Sequence, residues 1–478
     1  MKTANRALCA LAASLFLTLP GQAALAQPAA ASASASVEGD WDGALTVNAT
    51  VKLRIALHIK SGPQGLSGTM DSIDQQAMGI PASSVTLDGP QVRFEIKAIA
   101  GVFLGAPDAS GQTLTGQWSQ GGASLPLVLT RRAAGQPQAA LNRPQTPVKP
   151  YPYGEEEVAY DNAAAHVRLA GTLTLPKGKG PFPAVVLVAG SGPNTRNEPI
   201  LGHQIFLVLA DHLTRQGIAV LRYDKRGAGA STGDYAKATT MDFADDVQAA
   251  MAYLKTRKDI DPRRIGLIGH SEGGEIVPIV AARDPSTAYI VMMAGPGANG
   301  ADILMEQGRL IAKAAGMDDA RIAQTSALRA EMISIVRTEK DPAAAEVKLR
   351  AAFAPTAKAM NLPDSAVDAQ IQQINTAWFR AFFDYDPAVT LRQVKRPVLA
   401  INGSLDLQVP PAQNLPPIRA ALAQNRDAEI DELPGLNHLF QTAKTGGVGE
   451  YGQIEETISP LALDTITRWV LKHSQIPR

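Results

Sequence analysis

Hydrophobic and polar residues follow two different patterns along the chain. Between residues 37 and 132, short runs alternate apolar and polar side chains, and turn sequences such as Ser61-Gly62-Pro63 separate the runs. Alternation at a period of two is typical of strands with one buried face. Closely spaced runs of this kind predict a small all-β barrel or sandwich. The predicted strands are 41–47, 51–60, 65–72, 83–87, 91–97, 101–104, 113–119 and 123–130.

From residue 155 to residue 478, strand-like and helical patterns alternate instead. The continuous apolar run 184–189 is typical of a strand that is buried on both faces. Alternating strands and helices predict an α/β domain with a mostly parallel, doubly wound sheet. Residues 133–154, which contain five prolines, are interpreted as a linker or an extended strap between the two regions. The other predicted strands are 167–175, 218–223, 265–268, 289–294, 397–401 and 430–433, and the main helices are 206–216, 242–257, 275–283 and 458–471.

The strongest chemical motif follows the predicted strand 265–268. It reads Gly269-His270-Ser271-Glu272-Gly273, and a helical run follows it. Gly-x-Ser-x-Gly between a buried strand and a helix is the pattern of the nucleophile elbow of α/β-hydrolases. Ser271 is therefore the candidate nucleophile. The alternative interpretation is an ordinary glycine-rich turn from strand to helix.

A serine nucleophile needs a histidine base, and the base needs an acid that orients it. In α/β-hydrolases the chain order is serine, then acid, then histidine. His438 follows the last predicted strand, and Asp406 lies in the loop after strand 397–401. We therefore predict a triad of Ser271, Asp406 and His438. His473 also follows the candidate acids, but its position at the end of a helix favours a structural role.

The oxyanion hole of this reaction requires two backbone amides. We assign one amide to Glu272, the residue after the nucleophile, and the other to Ser191, in the loop after strand 184–189. The carboxylate of Glu272 either favours cationic substrates or pairs with a nearby arginine, and we prefer the pairing. The charged segment 224–227 is interpreted as a structured turn with internal ion pairs.

Residues 298–392 interrupt the alternation with mostly helical sequence. An insertion between the strand after the elbow and the strand before the acid is where this fold carries its lid, so we predict a helical lid here. Two interpretations remain for the aromatic residues near its end: a hydrophobic wall over the site, or packing of the lid on the domain body. These residues are Trp378, Phe379, Phe382, Phe383 and Tyr385.

Composition excludes several other functions. The chain of 478 residues carries 45 basic and 45 acidic residues without a basic stripe, so a nucleic-acid partner is not expected. Residues 1–26 have the pattern of a signal peptide, with Lys2 and Arg6 before an apolar run and Ala24-Leu25-Ala26 as the cleavage site. The expected location is periplasmic or secreted, without a membrane span after cleavage; the alternative is an N-terminal anchor. Cys9, the one cysteine, falls in this segment, which excludes cysteine nucleophiles and thiolate metal sites in the mature chain.

Together these residues resemble a known group. The segments 190–193, 222–227, 269–274, 402–410 and 436–440 are similar to those of bacterial serine esterases of the α/β-hydrolase superfamily with a Gly-His-Ser-Glu-Gly-Gly elbow, the EstD-like carboxylesterases. The resemblance covers roughly residues 155–478 and implies hydrolysis of short acyl esters by Ser271, Asp406 and His438. Ala189 stands where these relatives usually have histidine. The region 37–132 faintly resembles a lipocalin-type barrel.

The sequence thus predicts an exported two-domain serine hydrolase that acts on a small-molecule ester and requires no metal or organic cofactor. A peptidase or amidase with the same triad is the nearest alternative. A non-catalytic envelope-binding protein on a hydrolase scaffold is a further one. The all-β domain is expected either to bind a ligand, the cell envelope or substrate, or to serve as a structural or homodimerisation domain.

Overall fold

The computed structural model describes residues 36–46, 52–74, 77–120, 123–137, 141–359, 362 and 364–474. The predicted signal peptide and Cys9 lie outside the described residues. The chain divides into two compact units. One comprises the described residues up to Asn142 together with residues 353–369, and the other comprises residues 143–352 and the described residues from 370 onward.

In the first unit, nine antiparallel strands form one sheet in the order β4-β3-β2-β1-β9-β8-β7-β6-β5. The edge strands β4 and β5 are joined by only Ala82 and Ser83, which forces the two edges towards each other. The sheet is therefore a curled half-barrel, the first of the two predicted architectures, rather than a sandwich. The strands are β1 Gly39–Thr46, β2 Lys52–Gly62, β3 Gly65–Ser72, β4 Ala77–Pro81, β5 Ser84–Asp88, β6 Gln91–Ile96, β7 Gly101–Pro107, β8 Thr113–Gln120 and β9 Ala123–Arg131.

The concave face of this sheet holds the core of the first unit. In β6, Val92, Phe94 and Ile96 are buried while their neighbours are more exposed, which is the period of two read from the sequence. Trp41 and Phe103 are fully buried in the same cluster. Each such side chain stabilises the fold by roughly 1.5–3 kcal/mol.

The second unit contains an eight-stranded sheet in the order β10-β11-β15-β12-β16-β17-β18-β19. The pairs β10–β11 and β11–β15 are antiparallel, and all later pairs are parallel. This is the doubly wound α/β-hydrolase fold. The carboxyl ends of the parallel strands share one edge, where ligands bind in such sheets. The strands are β10 Gly154–Asn162, β11 Val167–Leu175, β12 Phe182–Val188, β13 Pro199–Ile200, β14 His203–Gln204, β15 Ala219–Tyr223, β16 Ile260–His270, β17 Ile290–Met293, β18 Val398–Gly403 and β19 Ala428–Leu433, with β13 and β14 forming a separate small hairpin.

Among the strands of the two large sheets, sequence reasoning did not predict β4 and β10. Both lie at the edge of their sheets. Most of their residues are exposed or half-buried. A strand that buries few side chains shows little alternation of apolar and polar residues, and this alternation is the signal from which strands are predicted.

Helices follow most strands of the second unit, and six helices stand between β17 and β18, where the lid was predicted. Several begin at a side chain that caps the helix: Asn299 accepts the amide of Asp302, and Thr376 accepts that of Phe379. In the described part of the chain we find no helix with the length and apolar character to cross a bilayer. The helices are α1 Ile205–Arg215, α2 Thr240–Thr256, α3 Glu272–Arg283, α4 Gly300–Ala314, α5 Asp319–Thr338, α6 Pro342–Ala359, α7 Asp364–Ile374, α8 Ala377–Asp384, α9 Pro387–Leu391, α10 Pro411–Ala421 and α11 Pro460–His473.

The proline-rich segment ends as a strap on the second unit. Gln145 donates to the carbonyl of Ile458 over 2.7 Å, and the hydroxyl of Tyr153 donates to Asp211 over 2.8 Å. Tyr151 stacks on Tyr153 with ring centroids 5.2 Å apart. These contacts attach the end of the proline-rich segment to the second unit.

His203 makes the stability of the second unit depend on pH. It is fully buried, with Nδ1 3.0 Å from the hydroxyl of Thr457 and Nε2 2.8 Å from the carbonyl of Tyr451. Burial lowers the pKa of His203 to about 4. Between the ordinary value of about 6.5 and this value, the unfolded chain binds a proton that the folded chain does not bind.

We therefore expect His203 to reduce the free energy of unfolding by about 3 kcal/mol as the pH falls from about 6.5 to 4. Urea unfolding over this pH range should show a smaller decrease for His203→Gln than for the wild-type protein. His166→Gln, a change of an exposed histidine, should keep the wild-type pH dependence. An unchanged slope for His203→Gln would contradict the prediction.

Candidate active site

Ser271 stands at the turn between β16 and α3. Its φ of 55° lies in the left-handed region, where a side chain with a Cβ is strained. The ψ of −118° is likewise not helical. The amide of Ser271 donates to the carbonyl of Met293 over 2.8 Å, which ties the turn to β17. The half-buried serine is therefore presented at the carboxyl edge of the sheet.

The two glycines of the motif allow this turn to form. A Cβ on Gly269 would lie 2.0 Å from the carbonyl oxygen of Gly273, and a Cβ on Gly273 would lie 1.9 Å from that of Val188. Both obstacles are backbone atoms, which cannot rotate away. The close approach of α3 to β16 and β12 thus requires glycine at both positions.

Asp406 and His438 form a buried hydrogen bond. His438 Nδ1 lies 2.8 Å from Asp406 Oδ2, and the two side chains are 5% and 0% exposed. Oδ1 of Asp406 accepts the amides of Gln408 and Val409 over 2.8 and 2.9 Å. Three donors therefore hold the carboxylate in place. A neutral imidazole that donates from Nδ1 has Nε2 as a proton acceptor, which is the form that a general base requires.

The His438 loop is attached directly to the nucleophile elbow. The ring of His438 lies 4.9 Å from the ring of His270, the residue before Ser271, measured between centroids. His270 Nε2 donates to the carbonyl of His438 over 3.0 Å. Inside the loop, Asn437 Oδ1 accepts the amides of Leu439 and Gln441. The structure thus places the loop of the predicted base against His270, the residue before the predicted nucleophile.

The loop after β12 supplies the second candidate amide of the oxyanion hole. The amide of Gly190 donates to Glu198 over 2.6 Å, and that of Gly192 donates to the hydroxyl of Tyr235 over 2.8 Å. Ser191 between them is exposed. A Cβ on Gly190 would lie 3.1 Å from Cβ of Ser271, so the loop adjoins the serine. At the first position of α3, the amide of Glu272 is one of those that a helix start leaves without an intrahelical acceptor.

The carboxylate of Glu272 is occupied inside the protein. Lys225 Nζ lies 2.8 Å from Oε2, while Thr240 Oγ1 and Trp378 Nε1 donate to Oε1 over 2.9 and 2.5 Å. The preferred interpretation named an internal partner, but the expectation of an arginine was wrong. Lysine reaches the site because Lys225 follows β15 at the same edge of the sheet.

The charged segment 224–227 forms a turn held by internal ion pairs, as its interpretation required. Besides Lys225, its Asp224 pairs with Arg196 over 2.9 Å, and its Arg226 pairs with Asp246 over 2.7 Å. These pairs satisfy the charges of the segment within the domain.

The aromatic residues of α8 divide between the two interpretations given above. Phe383 is fully buried against Phe379 and Phe382, and the half-buried Tyr385, just after the helix, packs on the core of the unit. Trp378 is half-buried, stacks on Phe382 with centroids 4.8 Å apart and donates to the residue after Ser271. The sequence favoured packing alone, whereas Trp378 also places an apolar surface beside the site.

Two further groups near the site had no motif to reveal them. Glu198 and His270 form a buried pair with Glu198 Oε1 3.1 Å from His270 Nδ1. The position of His270 next to the nucleophile was the only signal in the sequence. His473 instead bonds to Trp469 and Asp427 at the end of α11. Within the described ranges, no group of three or more His, Cys, Asp or Glu side chains is arranged to hold a metal ion.

The family model for X-Pro dipeptidyl-peptidases (S15 family) matches residues 161–420, which is more than half of the chain. The chain belongs to the S15 family. This S15-family match includes Ser271 and Asp406 and ends before His438.

Two curated relatives of this S15-family chain differ in how much of it they match. Esterase EstD of Thermotoga maritima is 29% identical over 311 residues, which are 64% of this chain and 66% of that esterase. The uncharacterized protein Rv2307c of Mycobacterium tuberculosis is 32% identical over 83 residues, which are 17% of this chain and 28% of that protein. This chain therefore spans less than two thirds of the length of these relatives. The family model is named for a peptidase, and the relative EstD is named as an esterase.

Solved structures with some likeness to this S15-family chain include an α/β hydrolase and an esterase. The α/β hydrolase GrgF of Penicillium sp. sh18 matches with a TM-score of 0.42 and 17% identity over 68% of this chain and 99% of that one. The Pyrococcus furiosus esterase Pf2001 matches with a TM-score of 0.43 and 14% identity over 71% of this chain and 100% of that one.

Because a Cβ at position 273 would meet the carbonyl of Val188, we expect Gly273→Ala to lower the free energy of unfolding of this S15-family protein by at least about 1–3 kcal/mol. Urea unfolding followed by circular dichroism measures the change. Gly154→Ala is the matched control, since the nearest contact of its Cβ would be the carbonyl oxygen of Leu175 at 3.6 Å, and it should cost less than about 1 kcal/mol. Equal stability of both variants would contradict the close approach.

Proposed function

We propose that this protein is an exported serine esterase that hydrolyses carboxylic esters, mainly of short acyl chains, through Ser271, His438 and Asp406. The observation that carries the proposal is the buried hydrogen bond between His438 and Asp406 on a loop attached to the strained turn of Ser271. Export rests on the signal-peptide pattern of residues 1–26.

The geometry supports acyl transfer in two halves. His438, oriented by Asp406, takes the proton of the Ser271 hydroxyl while Oγ attacks the ester carbonyl. The amides of Ser191 and Glu272 bind the oxyanion of the tetrahedral intermediate, each contributing about 3 kcal/mol to its stabilisation. His438 then protonates the leaving alcohol, and an acyl-enzyme remains on Ser271. Water attacks this ester by the same sequence and releases the acid.

The surroundings of Ser271 favour an uncharged substrate. Glu272, the acid next to the nucleophile, is neutralised by Lys225 and also accepts hydrogen bonds from Thr240 and Trp378. Such a carboxylate cannot also pair with the ammonium group of a peptide without losing these partners. The half-buried rings of Trp378 and Phe382 add apolar surface. An apolar acyl group of modest size fits this environment best.

A second candidate is cleavage of an amide bond after proline, as the name of the matched family describes. The same nucleophile, base and oxyanion amides would serve an amide substrate, because the tetrahedral intermediate is alike. An ester is favoured over a peptide because the Glu272 carboxylate is already paired with Lys225. For the half-barrel unit we retain both proposals, binding of a ligand or substrate and homodimerisation.

We expect Ser271→Ala to lower kcat for p-nitrophenyl butyrate by at least about 1000-fold, since the nucleophile is lost while the oxyanion amides remain. Initial rates measure the loss, and circular dichroism should show an unchanged fold. Ser286→Ala, which changes an exposed serine, should retain wild-type turnover. Wild-type turnover in Ser271→Ala would overturn the assignment of the nucleophile.

A substrate panel separates the two candidate functions. We expect kcat/KM for p-nitrophenyl acetate and butyrate to exceed that for a dipeptidyl-proline p-nitroanilide by at least about 100-fold, because the carboxylate next to the nucleophile is already paired with Lys225. Among the esters, kcat/KM should fall for long acyl chains. A preference for the p-nitroanilide would support the peptidase instead.

A further inference from the structure

A single buried carboxylate connects the oxyanion loop to the nucleophile elbow. Glu198 is 1% exposed, and its Oε1 both accepts the amide of Gly190 over 2.6 Å and lies 3.1 Å from His270 Nδ1. On the other side of the ring, His270 Nε2 lies 3.0 Å from the carbonyl of His438. Two side chains thus join three segments: the oxyanion loop, the elbow and the loop of the base.

With Glu198 ionised, the hydrogen-bond partners define the protonation state of His270. A carbonyl oxygen only accepts, so Nε2 carries a proton. An ionised carboxylate also only accepts, so Nδ1 carries a second proton. His270 is then an imidazolium that balances the buried charge of Glu198, since an unpaired charge in this position would be strongly destabilising.

Electrostatics around His270 agree with this state. Burial lowers the pKa of His270, but the charge and hydrogen bond of Glu198 outweigh burial, and the pKa lies above its ordinary value. Asp406 contributes in the same direction. The other charged and titratable groups in this region are His438, whose ring faces His270, and the pair of Lys225 and Glu272, in which Lys225 also donates to the carbonyl of Gly190.

Backbone strain indicates that this arrangement is maintained by its surroundings. Glu198 has a φ of 46°, which is unfavourable for a residue with a side chain. Such a conformation persists only where other contacts enforce it. The strained turn at Glu198 is what directs its carboxylate towards Gly190 and His270.

We propose that Glu198 and His270 are positioning residues, and that their buried ion pair holds the oxyanion loop and the His438 loop in place against the nucleophile elbow. The proposal rests on the esterase function proposed above. Neither side chain acts on the substrate; both act through the backbone of Gly190 and His438. A displacement of about 1 Å at these loops is enough to slow the chemical step about 100-fold.

Glu198→Gln and His270→Gln test the proposal. Each variant keeps a side chain of similar length. Glu198→Gln removes the negative charge of the carboxylate, and His270→Gln removes one of the two ring N–H groups that bond to Glu198 and to the carbonyl of His438. We expect kcat for p-nitrophenyl butyrate to fall about 10- to 100-fold in each variant while KM changes less than about 2-fold. Because the two residues act as one unit, the double variant should lose no more than about the larger single loss.

His473→Gln is the matched control. His473 likewise lies between a backbone carbonyl, that of Trp469, and a carboxylate, that of Asp427. Its Asp427 is 48% exposed, and the pair lies at the end of α11. This variant should keep wild-type kcat and KM. Wild-type kcat in both Glu198→Gln and His270→Gln would overturn the positioning role.

Two further measurements on the full chain separate this proposal from the esterase function. The rate at which a fluorophosphonate labels Ser271 should fall in both variants, whatever the natural substrate is. In ¹⁵N-histidine spectra of the wild-type protein, both nitrogens of His270 should still carry protons above the ordinary histidine pKa of about 6.5, and one should lose its proton in Glu198→Gln. A neutral His270 in the wild-type spectra would overturn the proposal even if the variants fold poorly. Labelling of Ser271 without ester hydrolysis would refute the esterase function, and slower labelling of the variants would still support the positioning role.

Discussion

The contact between the start of α3 and the strands beneath it is the constraint on which the site depends. At Gly269 and Gly273 the backbones approach so closely that even a Cβ would overlap a carbonyl oxygen. This approach forces Ser271 into a strained turn and brings the oxyanion loop, which follows β12, next to it. Sheet register, loop position and nucleophile geometry are therefore set by the same few backbone contacts.

A second constraint is the burial of charge around this turn. Three ion or hydrogen-bonded pairs surround Ser271: Asp406 with His438, Glu198 with His270, and Glu272 with Lys225. A buried charge is strongly destabilising unless a partner and further donors satisfy it. Each pair joins different loops of the same sheet edge. Separating the partners of a pair would leave an isolated buried charge, so each pair holds its loops together.

Much of this arrangement could be predicted from local signals. The apolar run 184–189 and the glycine motif predicted β12 and the elbow, and chain order placed Asp406 and His438 on loops that the structure joins by a hydrogen bond of 2.8 Å. Their catalytic roles stay a proposal. The edge strands β4 and β10 were not predicted, because exposed strands lack apolar periodicity. The partner of Glu272 was expected to be an arginine, but it is Lys225. The sequence alone does not show which side chains meet across a sheet edge.

By itself, the sequence determined the α/β class, the strand-to-helix turn at Ser271 and the loops that follow each strand, because periodicity, glycine and turn chemistry act over a few residues. Only the tertiary structure decided that the first unit is a curled half-barrel, that Lys225 neutralises Glu272 and that Glu198 meets His270, 72 positions away. These outcomes depend on how distant segments share a buried environment. Their physical cause is the cost of burying unpaired charge and open sheet edges, which is decided in three dimensions.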